Sequence, residues 1–300
     1  REQICAHSAA PLNAVRDAAF EQFERQGFPS RKVERYKYTS VDELFAPDYG
    51  VNVNRLEIPV DPYKAFRCDV PNLSTSLYFI VNDQFRAALQ PKENLPEGVV
   101  VDSLAAYAQA NPQFVADHYA QLAHADEDGI TALNTMLAQD GLLVYVKRGV
   151  KVDRTIQVIN ILRSDVPLMV NRRVLIVMEE GAEAKLLFCD HAADDREFLA
   201  TQVIEAYVGR NASLDLYCME ETHYKNTRVS NVYIEQQADS RVNHNVITLH
   251  NGTTRNRLDV LLKGEGVECW CNGCVIADKA QHIDNNTLID HQVPHCTSHE

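Results

Sequence analysis

Positive charge is in short supply in this 300-residue sequence: 29 lysines and arginines face 42 aspartates and glutamates, a formal net charge of -13. So acidic a chain gains nothing from counterion release on DNA or RNA, and nucleic acid is not expected as a partner. An anionic membrane surface is disfavoured for the same reason. Long apolar runs are missing too. The longest, around Val174–Met178, suits a buried strand and falls far short of a membrane span, so no membrane insertion is expected. The first twenty residues lack the basic region and apolar stretch of an export signal. They also begin at Arg1 without a methionine, so residues are expected before it. No GxxxxGKS/T phosphate loop occurs, which argues against ATP hydrolysis by this chain, and neither a GxSxG elbow nor an HExxH zinc motif is present. With no export signal, the eight cysteines read as reduced thiols of a cytoplasmic protein.

What is there is ordinary globular composition, 45% hydrophobic and 24% charged, enough for one large domain or two smaller ones. Residues 1–46 read as helical. Pro11 suits a first turn, Leu12, Val15, Ala19 and Phe23 follow helical spacing, and Gly27 is a stop. Ser40 with Glu43 forms a capping-box pattern. Residues 49–96 are mixed, with a strand over Ser76–Val81 and a turn at Asn82-Asp83. Residues 103–139 return to helix, with Asn111-Pro112 as a start signal and an end near Gly141. From Leu142 onward, strands rich in Val, Ile, Leu and Tyr alternate with short polar turns. The expected organisation is a helical and mixed N-terminal domain over 1–140 and a β-domain over 141–300.

The second half carries a weak repeat. Segments 180–189, 210–219, 238–247 and 265–274 each place a turn-like residue before a small or apolar residue and then alternate. These marker residues are Ala182, Ala212, Ser240 and Val267, spaced by 30, 28 and 27 residues. That period, made only of strands and turns, predicts stacked coils of a parallel β-helix, each needing its neighbours to bury a continuous core.

Two clusters invite a metal reading. Cys269, Cys271 and Cys274 form C-x-C-x2-C, and thiolates are natural ligands of zinc and iron–sulfur clusters. The repeat opposes this. Cys269 shares a column with Ala184, Leu214 and Val242; Cys271 with Leu186, Leu216 and His244; Cys274 with Cys189, Met219 and Ile247. Those columns are mostly apolar, as for positions facing a core where cysteine acts as a small hydrophobe. Second, His282, His291, His295 and Cys296 crowd the end of the chain with Asp284 and Asp290. Imidazole, carboxylate and thiolate all bind transition metals, but the spacing matches no closed site, and polar turns with a subunit contact explain it as well. The pairs Glu179-Glu180, Asp194-Asp195 and Glu220-Glu221 read as solvated turn residues, because adjacent strand positions face opposite ways. The basic stretch Arg31, Lys32, Arg35, Lys37 reads as a local contact surface.

The stretch Phe28-Pro-Ser-Arg-Lys-Val-Glu-Arg-Tyr-Lys-Tyr-Thr39 resembles the N-terminal signature of SufD proteins in the SufB/SufD family. Three later stretches resemble the family in the same order: 134–141 with Val146-Lys-Arg-Gly149, Glu179-Glu-Gly-Ala-Glu-Ala184, and 282–285 through 294–300. The resemblance implies a helical N-terminal domain followed by a right-handed parallel β-helix. It implies a non-catalytic subunit of an iron–sulfur cluster assembly complex, paired with a SufB-type paralogue through the β-helix and associated with a SufC-type ATPase. It further implies a contribution to iron acquisition, with iron or a cluster at the SufB interface. For the isolated chain a homodimer is the alternative. SufD proteins continue into further coils and a SufC-binding helical domain carrying an Asp-Asp-Val-Lys-Cys-Ser-His-Gly-type motif. That motif is absent here, so the sequence reads as a truncated form with an incomplete stack. The competing functional readings are a self-contained metal-binding protein and a β-helix carbohydrate-active enzyme.

Overall fold

The computed structural model describes residues 1–65, 75–89 and 95–300; parts of the mixed stretch, 66–74 and 90–94, lie outside the described residues. The strands are β1 (Gly50–Val51), β2 (Thr75–Val81), β3 (Gln84–Phe85), β4 (Val99–Ser103), β5 (Leu142–Val146), β6 (Thr155–Leu162), β7 (Leu168–Met178), β8 (Glu183–Ala192), β9 (Phe198–Val208), β10 (Ser213–Glu221), β11 (Asn226–Gln236), β12 (Arg241–His250), β13 (Thr253–Leu262), β14 (Glu268–Val275), β15 (His282–His291) and β16 (Thr297–His299). One sheet runs β4-β5-β7-β9-β11-β13-β15, and a second runs β3-β2-β6-β8-β10-β12-β14-β16. From β6 onward each strand crosses to the other sheet, and same-sheet neighbours pair in parallel. The result is a parallel β-helix in which each coil adds one strand to either sheet.

The register of the second sheet matches the sequence columns residue for residue. Ala184, Leu214, Val242 and Cys269 lie side by side, as do Leu186, Leu216, His244 and Cys271. Inward residues of both sheets share one apolar core, from Val144 and Ile156 through Leu186, Leu216 and Val232 to Leu258, Val260 and Cys269. Burying such side chains is worth about 1.5–3 kcal/mol each, and stacking is what makes each coil's burial complete.

A second regularity runs down the turns. Gly149, Gly181, Asn211, Asp239, Gly266 and His295 all sit at positive φ, one per coil. The first four donate their N–H to the carbonyl of the residue just before their counterpart in the next coil, as Gly149 does to Glu180 at 2.9 Å, and Gly266 donates to its counterpart His295 itself at 3.0 Å. Glycine reaches this left-handed region freely, and Asn and Asp tolerate it better than other residues.

The N-terminal part contains short helices, among them Glu2–Ala6, Ala10–Ala14 and Arg16–Gln26, the last closed by Gly27 at φ 61. The helical stretch expected over 103–139 consists of Leu104–Ala110, Pro112–His118, starting at the expected Asn111-Pro112 signal, and Gly129–Leu137. Leu12, Leu104, Ala108, Val115 and Tyr119 pack on Leu143, Tyr145, Leu175 and Val177, which point outward from the first sheet. The helices thus cover that sheet's outer face. Ser40 does precede a helix, Val41–Leu44, but makes no side-chain cap. Packing of Val41, Leu44 and Phe45 against Tyr36, Ile130 and Val229 holds that turn instead of the predicted capping box. Gly141 is needed for a different reason than ending a helix. A Cβ there would lie 2.1 Å from the Arg173 carbonyl oxygen, so only glycine lets the chain enter β5 so close to β7.

Candidate functional site

The interior of the β-helix is not uniformly apolar. Along one side of the second sheet, Asn160, Asp190, Glu220 and Thr248 are register neighbours. Along the first sheet the corresponding row is Arg172, Gln202, Ser230, Asn256 and Asn285. These two rows meet in a buried polar stripe. Asp190 receives Arg172 at 2.9 Å, Arg228 at 3.1 Å and the Asn160 amide at 2.7 Å. Glu220 lies 3.7 Å from Arg228 and accepts the Thr254 hydroxyl. Arg228 also donates to Asn256, which donates to Asn285.

The environment splits the two carboxylates. Burial opposes ionisation of Asp190, but Arg172, Arg228 and Asn160 outweigh it and hold the carboxyl below its ordinary range. Burial pushes Glu220 up to about 7, and Arg228 and Thr254 offset only part of that. Burial, with Arg228 adding, pulls the His244 imidazole down to about 4. Burial pushes the Cys218 thiol up to about 12. Cys218, Arg228, His244 and Cys271 line a cavity of about 380 Å³ at this stripe, together with Asn256 and Asn285.

The seven sequence candidates do not converge. Cys269 and Cys271 face inward, their sulfurs 3.6 Å apart. Hydrogen bonding and burial raise the Cys269 thiol, whereas the bond from Cys269 lowers Cys271. Cys274 is exposed on the opposite face, which corrects its assignment to an inward column. An odd number of residues separates two faces of a strand, and its register partners Ile247 and Met219 likewise lie outside the inner core. His282 contacts the Thr39 hydroxyl at 3.1 Å, and Thr39 donates to Asp284. His291 meets the Ser298 hydroxyl at 2.9 Å. His295 is the turn residue of its coil. The Cys296 thiol bonds the Gly264 carbonyl at 3.3 Å. Among the described residues no three His, Cys, Asp or Glu side chains stand close enough, as placed, to hold a metal ion.

The 28–39 stretch has a clear local role. Arg35 pairs with Asp259 at 3.3 Å, and Tyr36 bonds Asp128. The Arg255 guanidinium lies 4.1 Å over the Tyr36 ring and donates to the Arg35 carbonyl. With Thr39 on His282 and Asp284, the stretch ties the N-terminal part to β13 and β15. A groove of about 880 Å³ opens beside it, lined by Arg35, Tyr36, Asp128 and Asp259; those four are already engaged with one another or with the sheet.

Sequence reasoning missed Arg172, Asp190, Arg228 and Glu220. Glu220 was expected to be solvated and is 1% exposed. The signal that could have found them is a polar residue recurring at an inward parity one coil apart, as Asp190 and Glu220 do.

Two family models divide the chain near residue 159. The SufBD protein N-terminal region model matches residues 1–158, and the SUF system FeS cluster assembly, SufBD core domain model matches residues 160–300. The chain is 24% identical over 290 residues to the iron–sulfur cluster assembly protein SufD of Bacillus subtilis (strain 168), covering 93% of this chain and 64% of that protein. It is 23% identical over 254 residues to SufB of the same organism, covering 81% and 53%. Protein ABCI7, chloroplastic, of Arabidopsis thaliana is 23% identical over 243 residues, covering 78% and 49%. The chain therefore spans about half to two thirds of the length of these relatives.

Proposed function

The chain belongs to the SufB/SufD family, and from that premise we propose that it is a non-catalytic scaffold subunit in iron–sulfur cluster assembly, of the SufD type. Its partners in this reading are a SufB-type paralogue, joined through the β-helix, and a SufC-type ATPase, with the chain contributing to iron acquisition. The observation that supports it most is that both family models, laid end to end, cover a β-helix whose helical cover is locked to it by buried contacts such as the Arg257–Asp128 ion pair at 3.2 Å and the backbone N–H groups of Leu122 and Ala123 donating to Glu205. A frame of this kind holds partners at fixed separation, because stacked parallel strands and buried pairs leave little freedom for relative motion. SufD-type identity is favoured by the longer match to the SufD relative.

The test is anaerobic co-expression of SufB-type and SufC-type subunits with and without this chain, followed by assay of iron and acid-labile sulfide in the purified complex. Iron content should fall when the chain is omitted. Equal iron and sulfide in both preparations would remove the iron-supply role.

A further inference from the structure

We propose that Cys269, Cys271 and His244 form a binding site for a thiophilic divalent cation inside the β-helix. The inference stands on the geometry of these residues and not on the assembly role proposed above.

Parity places Cys269 and Cys271 on the inner face of β14, and the register sets His244 of β12 directly beside Cys271. The two sulfurs are 3.6 Å apart. Two thiolates on a tetrahedral ion, with metal–sulfur bonds of about 2.3 Å, stand roughly 3.7 Å from each other. The pair is therefore already spaced as two corners of such a site. His244 supplies the second, independent observation. It is 2% exposed, and its Nε2 has no hydrogen-bond partner. A buried ring nitrogen without a partner costs free energy that a bound ligand would recover. As placed, His244 is not within bonding reach of a point shared with both sulfurs. A change of its side-chain torsions completes the site, and the 380 Å³ cavity that both His244 and Cys271 line leaves room for it.

The charge balance suits a buried location. A divalent ion displaces one proton from each thiol, two protons leave to solvent, and the resulting bis-thiolate complex is neutral. Imidazole adds a neutral third donor. No net charge is buried, so the desolvation penalty stays small. Cys274 takes no part, because it is exposed on the other face of the strand.

The test uses the whole chain, reduced, metal-free and oxygen-free, titrated with Co2+. One equivalent should bind with a sulfur-to-cobalt charge-transfer band and the visible bands of a tetrahedral site. Zn2+ should displace it. C269S and C271S should each lose the charge-transfer intensity of one thiolate, H244N should shift the visible bands while keeping the charge transfer, and C274S should match the unmodified chain. X-ray absorption of the Zn2+-loaded unmodified protein, which requires no variant to fold, should count two sulfur and at least one nitrogen neighbour. One sulfur or none in that spectrum, or a cobalt band that survives in C269S/C271S and disappears in C274S, would overturn the proposal.

Discussion

Glu205→Ala should lower the unfolding free energy by roughly 3–5 kcal/mol, the size expected when one partner of a buried ion pair is removed. Both Arg173 and Glu205 are fully buried, with 2.6 Å between Nη2 and Oε2. Arg173 also lies 4.5 Å over the Tyr119 ring and donates to Asn134 and Thr135. Glu205 accepts the backbone N–H groups of Ala120, Leu122 and Ala123. Alanine would leave a charged guanidinium uncompensated and remove the acceptor of three amides, two of them buried, at once. For a chain of this size the fall in Tm should be on the order of 10 °C. Thermal denaturation followed by circular dichroism measures it. A double variant, Arg173→Met with Glu205→Leu, should lose less than Glu205→Ala alone, since it buries no unpaired charge. A Glu205→Ala protein as stable as the unmodified one would mean that Glu205 and its contacts with Arg173 and the 120–123 backbone do not contribute to stability.

Stability should rise only gently with pH between about 4.5 and 6.5, because within the polar stripe Glu220 opposes His244 there and only part of the histidine contribution remains. Glu220 keeps its proton up to about 7 when folded against an ordinary value of 4.5. Above 4.5 the unfolded chain has already released that proton, so this group's stabilisation is present at low pH and lost as pH rises toward 7. His244 stays neutral down to about 4 when folded against an ordinary value of 6.5. Below 6.5 the unfolded chain takes up the proton first, so its stabilisation is present at neutral pH and lost as pH falls toward 4. His191, whose imidazole burial also pulls down, acts in the same direction as His244. For Glu220 and His244 each displacement corresponds to roughly 3 kcal/mol over its window. Single variants unmask the cancellation. Glu220→Gln should be more stable than the unmodified chain at pH 7 and lose stability as pH drops from 6.5. His244→Asn should show the reverse, losing stability as pH rises from 4.5 toward 7. Urea unfolding at half-unit pH steps reads both slopes. Parallel curves for all three proteins would show that neither group differs between the folded and unfolded chain.

The β-helix was legible in the sequence because its signal is periodic and local. One small residue and one alternating strand per coil are enough to align Ala184, Leu214, Val242 and Cys269, and the structure pairs those residues as aligned. The turn column was only half legible. Gly149 and Gly181 announce themselves, whereas Asn211, Asp239 and His295 hold the same left-handed conformation without glycine. His295, a candidate ligand beside a polar-turn reading in the sequence, is the turn residue of its coil. The buried charges were hidden for a different reason. Asp190 and Glu220 sit among polar residues near strand ends, and their partners Arg172 and Arg228 lie on the opposite sheet, invisible to any window along the chain. The same holds for His282, whose contact is Thr39, 243 residues earlier. Cys274 keeps its aligned column, but that column lies three residues from Cys271 and so on the opposite face of the strand, which an apolar column alone does not reveal.

These features fit one physical account. A regular ladder of turns and apolar rows sets the coils, and a polar stripe with opposed titrations lies within them. Buried ion pairs and the 28–39 stretch fasten the helical cover outside. A frame so constrained suits a subunit whose work is to hold others in place, and that is the claim to test first. The most direct measurement is size-exclusion chromatography with light scattering after anaerobic co-purification of the tagged chain with a SufB-type paralogue. The account predicts co-elution as a one-to-one heterodimer. Elution of the chain alone, with the SufB-type protein absent from its peak, would contradict it.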